Sequence, residues 1–180
     1  DGQITINYAD FNLTEEDKND VIGFYVVFNK SGAAGEIAVI DDVEVINPVV
    51  ESTDEPTEQN PNKVIYDFED ETVPAGVGVW ASNGTPVTSI TKDTEKVING
   101  GASLLCEVYG DYAGISVTSK AGDFKGDGIS FNMKSELQIS EFYLKLTDNR
   151  NISVGGWFVP DGQITINYAD LNLTEEDINE

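Results

Sequence analysis

The chain has 180 residues, 33 acidic and 10 basic, which gives a formal charge of −23, and it contains no histidine. That charge argues against a nucleic-acid partner and against an anionic membrane surface, since both are held by Lys and Arg. The missing histidines remove the commonest general base, the Ser–His and Cys–His nucleophile pairs and the usual zinc ligands.

In chain order, Gln3–Tyr8 alternates apolar and polar residues as a half-buried strand does. Leu13–Val21 is the one stretch with a helical look; Thr14-x-x-Asp17 resembles a capping box and Gly23 a stop. Gly23–Phe28 is a strand with Phe24, Val26 and Phe28 on one face and Tyr25, Val27 and Asn29 on the other. Glu36–Val45 follows as a strand. The next run, NPVVESTDEPTEQNPNK, lacks apolar periodicity and is dense in Pro, Asn, Thr and acids. That composition marks an extended, solvated connector, placed at 50–61.

Beyond it the predicted strands are Val64–Phe68, Ser103–Tyr109, Gly114–Thr118, Gly128–Lys134, Glu141–Thr147, Ile152–Val159 and Gln163–Tyr168. Ile129, Phe131 and Met133 oppose Ser130, Asn132 and Lys134. Phe142, Leu144 and Leu146 oppose Tyr143, Lys145 and Thr147. Cys106, the single cysteine, shares a face with Leu104 and Val108 and reads as a core thiol; alone, it excludes an intramolecular disulfide. No apolar run approaches the roughly 20 residues of a membrane span, and no basic-then-apolar start resembles a signal peptide. Many short strands with regular turns predict an all-β fold, a β-sandwich jelly roll of two antiparallel sheets with one short helix.

The chain also repeats itself. DGQITINYADFNLTEEDKND at 1–20 recurs as DGQITINYADLNLTEEDINE at 161–180, differing only at Phe11/Leu171, Lys18/Ile178 and Asp20/Glu180. Residues 1–49 therefore read as the C-terminal part of one β-sandwich repeat and 62–180 as the N-terminal part of the next. Segments 21–49 and 62–180 together hold one copy of everything, as a complete domain in permuted order. Whether 21–49 completes its own chain or a neighbour by domain swapping is open at the level of sequence.

The residues YDFED at 66–70, NGGASLLCEV at 99–108, FKGDGISFNMKS at 124–135, FYLKLTDN at 142–149, GGWFVP at 155–160, DLNLTEED at 170–177, VIGFYVVFNKSG at 21–32 and IAVIDDVEV at 37–45 carry a resemblance. In that cyclic order the chain resembles the β-jelly-roll carbohydrate-binding modules, the eleventh carbohydrate-binding family and its galactose-binding-like relatives above all. The resemblance implies a non-catalytic module that holds a polysaccharide or oligosaccharide on a concave sheet face. The glycan it implies is a β-glucan, with starch-type α-glucan as the rival. It also implies a structural Ca²⁺, for which Glu69, Asp41 and Asp42 match the family's acidic positions. Such a module is expected to be secreted or displayed on a bacterial cell surface.

For sugar stacking the flat aromatic rings are the candidates, since a pyranose offers an apolar face of C–H groups. Trp157, after Gly155–Gly156, either stacks sugar or caps the core; Trp80, in GVGVWASNG, either edges a groove or packs inside. Tyr25, Tyr143 and Lys145 come from the non-core faces of their strands, with solvated sheet decoration as the plain alternative. Tyr109 and Tyr112 flank a Gly110–Asp111 turn. A glycosidase would need two carboxylates about 5–9.5 Å apart, one with a raised pKa. Nothing singles out such a pair, so the expectation is no enzyme. The competing expectation is a structural or adhesive spacer domain of a bacterial surface protein.

Overall fold

The computed structural model describes residues 4–5, 15–29, 36–46, 62–82, 84–109, 112–156 and 158–168. Twelve strands and one helical turn run through them: β1 (Ile4–Thr5), α1 (Glu15–Asp20), β2 (Val21–Asn29), β3 (Glu36–Ile46), β4 (Lys63–Tyr66), β5 (Val77–Ala81) and β6 (Val87–Thr91). They continue as β7 (Ser103–Val108), β8 (Tyr112–Thr118), β9 (Gly128–Ser135), β10 (Ile139–Leu146), β11 (Asn151–Gly155) and β12 (Asp161–Asn167). Two sheets result. The first has the order β1-β12-β9-β3-β7-β6, with β4 also paired to β3; the second has the order β11-β10-β2-β8-β5. Every pairing is antiparallel except that of β1 with β12, a two-residue parallel match of Ile4 with Ile164 and Thr5 with Thr165. The architecture is an all-β sandwich with a jelly-roll-like strand order.

The alternation read from the sequence is what closes the two layers. Phe24, Val26 and Phe28 of β2, Phe142, Leu144 and Leu146 of β10, and Ile115 and Val117 of β8 line the second sheet's inner face. They meet Ile129, Phe131 and Met133 of β9, Ile164 and Ile166 of β12, and Leu104, Cys106 and Val108 of β7, all buried. At the centre the rings of Phe24 and Phe142 stack on Phe131 of the facing sheet, with centroids 4.4 and 5.8 Å from it. Fully burying a side chain of this size is worth about 1.5–3 kcal/mol, so this aromatic cluster is a principal tie between the layers. Tyr168 is also fully buried, and its hydroxyl donates to the Phe124 carbonyl at 3.1 Å.

In β3 the core alternation would fall out of step after Ile40, and a β-bulge restores it. Asp41 pairs with Asn132 and Glu44 with Ser130, so one extra residue is taken up between them, with Asp42 in the left-handed region at φ 48°. Ile40, Val43 and Val45 all reach the core as a result.

The predicted fold class needs one correction. The two antiparallel sheets stand, but the short helix is not an element of the fold. Of Leu13–Val21 only the six residues Glu15–Asp20 are helical, Leu13 and Thr14 lie outside the described residues, and Val21 already belongs to β2. Gly23 therefore stops nothing. It lies inside β2, where an added Cβ would come 2.0 Å from the Val117 carbonyl oxygen of β8. Sheet pairing to β10 and β8 overrides the local helical pattern there.

β5 and β6 were not predicted. β5 reads VGVWA, where Gly78 masks the alternation, and β6 reads VTSIT, too polar and short to stand out. The connector 50–61 lies outside the described residues, as do 47–49 and 169–180. The described strands on either side of the connector pack into one sandwich: β2 sits between β10 and β8, and β3 sits among β9, β7 and β4.

Candidate functional site

The second sheet turns its non-core face outward, and register places the side chains on it. One row runs across all five strands: Gly78 of β5, Ser116 of β8, Tyr25 of β2, Tyr143 of β10 and Ser153 of β11 are successive partners. A second row places Trp80, Gly114, Val27 and Glu141 side by side, and a third Thr118, Gly23, Lys145 and Asn151. Neighbouring strands lie about 4.8 Å apart, so each row is a short ladder of side chains.

Glycine shapes the aromatic end of this face. The Trp80 indole lies across Gly114, so close that a Cβ at 114 would meet its Cζ2 at 2.6 Å and its Nε1 at 2.8 Å. Trp80 remains 37% exposed, and Tyr112, 44% exposed, stands beside it with ring centroids 5.2 Å apart and planes tilted by 60°. Two large apolar rings at a sheet edge therefore face outward without a core partner on that side.

The centre of the face is more polar. Tyr143 donates its hydroxyl to the Glu141 carboxylate two residues earlier on the same strand face. That bond, with burial and the charge of Glu141 adding to it, pushes the Tyr143 phenol up to about 12. Lys145 places Nζ 5.7 Å from the Tyr25 ring centroid, within cation–π range, and donates to the Asn149 carbonyl at 3.3 Å. Together the face offers aromatic planes, a lysine, a carboxylate and several hydroxyls within a few strand spacings.

Of the residues expected to bind sugar, Tyr25, Tyr143, Lys145, Trp80 and Tyr112 are thus brought onto one face. Tyr109 is not with them. It follows β7 of the other sheet, bonds the Glu107 carboxylate at 2.8 Å and packs its Cβ against Gly84. The Glu107 carboxylate also raises its pKa. Trp157 lies outside the described residues. Asp148 and Asn149 are turn residues: Asp148 accepts from Arg150, which holds its carboxyl below the usual range, and Asn149 adopts φ 70°. Ser116, Ser153, Gly78 and Gly114 went unremarked in the sequence. Their signal was position, since each stands at an alternate place on a strand whose other face is core.

The three acidic residues expected to hold Ca²⁺ all engage the turn before β7. Asp41 is 1% exposed; its Oδ2 accepts from the Ser103 hydroxyl at 2.6 Å and the Asn99 N–H at 3.1 Å, and its Oδ1 from the Asp42 N–H at 2.9 Å. Burial raises its pKa, opposed by those three donors. Asp42 Oδ2 accepts from the side-chain amides of Asn99 and Asn132, each at 3.0 Å, and Glu69 Oε1 from the Gly101 N–H at 2.9 Å. Ca²⁺ binds oxygen lone pairs, six to eight of them. Each of these carboxylates accepts hydrogen bonds, and among the described residues no group of three or more acidic, His or Cys side chains gathers. The bonds latch the Asn99–Ser103 turn and the Glu69 segment onto β3.

No family model, no curated protein and no solved structure matches the chain. Among the described residues no helix is long and apolar enough to cross a membrane.

Proposed function

We propose that the outer face of the second sheet binds a polysaccharide chain, without chemistry, by ring stacking and hydrogen bonding. The observation that carries the reading is the juxtaposition of the Tyr25–Tyr143 pair with Trp80 laid over Gly114. Apolar ring faces suit the C–H face of a pyranose, and Ser116, Ser153, Lys145 and Glu141 suit its hydroxyl rim. Glu141 on the face and a net charge of −23 favour a neutral glucan over an acidic glycan, which they would repel. β-Glucan is the first candidate and starch-type α-glucan the second. The reading assigns the face to binding and not to hydrolysis, because its carboxylate is committed to the Tyr143 hydroxyl. Such a module acts outside the cell, where its substrates are.

Affinity electrophoresis against soluble β-glucans, starch and a polygalacturonate control tests it. Retardation by a neutral glucan is expected, with Trp80→Ala and Tyr143→Ala each weakening it by about tenfold or more, about 1.4 kcal/mol. Retardation by none of them sinks the reading and leaves the spacer domain.

A further inference from the structure

The first sheet has an outward face of its own, and a pocket of about 670 Å³ lies on it, a size usual for ligand sites. Alternation along β3 makes its floor. Ala38 and Ile40 point into the core between the sheets, so Ile37 and Val39 point out and line the pocket with aliphatic carbon. Ile37 is 37% exposed, and Val159, 51% exposed beside Pro160, adds a second bare aliphatic side chain.

Two short segments wall this floor, and hydrogen bonds hold both. In the turn before β7 the N–H groups of Lys96 and Val97 donate to the Asp93 carbonyl at 2.8 and 2.9 Å, and that of Glu95 donates to Asp93 Oδ1 at 3.1 Å. At the end of β9, Ser135 donates its N–H to the Pro160 carbonyl at 3.1 Å and its hydroxyl to the Ile37 carbonyl at 3.0 Å. A pocket braced in this way is formed before a ligand arrives, which lowers the ordering cost of binding.

The charges around the floor are unequal. Glu95, Glu136 and Asp161 line it together with Lys96 and Lys134. Lys96 is engaged by Asp93 at 3.1 Å, and Lys134 stands opposite Asp161 across the β9–β12 pair. Glu95 and Glu136 form no ion pair among the described residues. The floor therefore suits aliphatic carbon and the rim suits positive charge, while a net charge of −23 draws cations in from a distance. Lysine meets both demands, because its stem lies along apolar surface while the ammonium group stays at a charged rim.

We propose that this pocket binds a basic segment of a partner protein, one in which aliphatic residues are flanked by lysine or arginine. The aliphatic side chains cover Ile37, Val39 and Val159, and the cationic groups pair with Glu95 and Glu136. The site belongs to the first sheet, so the inference does not rest on the ligand assigned to the second.

Calorimetry on the full chain with the acetylated, amidated peptide KVKLK tests it, with EVELE as the counterpart of opposite charge. KVKLK is expected to bind and to weaken as sodium chloride rises from about 0.02 to about 0.2 M, and EVELE is expected not to bind. Ile37→Ser with Val159→Ser leaves every charge in place and is expected to weaken KVKLK by about tenfold. Glu95→Gln with Glu136→Gln is expected to weaken it several-fold and to flatten the salt dependence. All four positions are exposed, so both variants keep the sandwich. Absence of KVKLK binding overturns the proposal. So does undiminished binding by either variant, which would mean that the peptide is held by diffuse surface charge and not by this pocket.

Discussion

A phenol hydrogen-bonded to a carboxylate resists ionisation, because the phenolate would lose the bond and face a second negative charge. Tyr143 is in that position beside Glu141, and its folded pKa of about 12 stands above the ordinary tyrosine value of roughly 10. Its proton is thus held more tightly in the folded chain. The contribution to stability is complete below about pH 10 and is lost as pH rises from there through about 12. Glu141→Gln is expected to move the Tyr143 titration back toward the ordinary value, followed by phenolate absorbance, at a cost of about 1 kcal/mol or less for so accessible a pair. An unmoved titration would mean that the two side chains do not meet in solution. Cys106 has a pKa raised to about 12 for another reason, burial alone, and the fate read from LLCEV, an inert core thiol, is the one it has.

At the level of strands the face depends on where side chains are absent. Gly114 is the floor under Trp80, and Gly114→Ala is expected to push the indole off the sheet. In a Trp157→Phe background the shift would be read in Trp fluorescence, with a stability loss of about 1–3 kcal/mol from overpacking. An unchanged spectrum would mean that Trp80 does not lie across β8.

The strands legible in the sequence were those with one clean apolar face. Alternation placed Phe24, Phe142 and Phe131 inward and Tyr25, Tyr143 and Lys145 outward, and register then brought Tyr25 and Tyr143 together. Pairing itself was not legible. Nothing in GVGVW announced that β5 closes an edge, and Tyr109 and Tyr112, three residues apart, gave no sign that one falls just past β7 while the other opens β8 of the second sheet. The three acids were legible as a group, but not that amide and hydroxyl donors from the Asn99–Ser103 turn answer them. The helical pattern at Leu13–Val21 misled because the sheet recruits Val21 and Gly23 for β2.

The whole molecule carries 33 acidic side chains against 10 basic ones, and among the described residues the ion pairs of Lys63, Lys92, Lys96 and Arg150 engage only a few of the acids. Self-repulsion on that scale opposes compaction and is weakened by salt, with a Debye length near 10 Å at 0.1 M. Melting temperature is expected to rise by several degrees as sodium chloride increases from about 0.01 to about 0.2 M. A flat response would mean that the charges lie too far apart to interact.

β3 and β4 pair as antiparallel neighbours, Val45 opposite Lys63, so residues 47–61 leave and re-enter the sandwich at adjoining points. Severing the backbone anywhere in that stretch would remove no sheet pairing from the described strands. Two fragments should then travel as one species on a native gel and separate only in denaturant. The molecule would be whole in every physical sense except the covalent one.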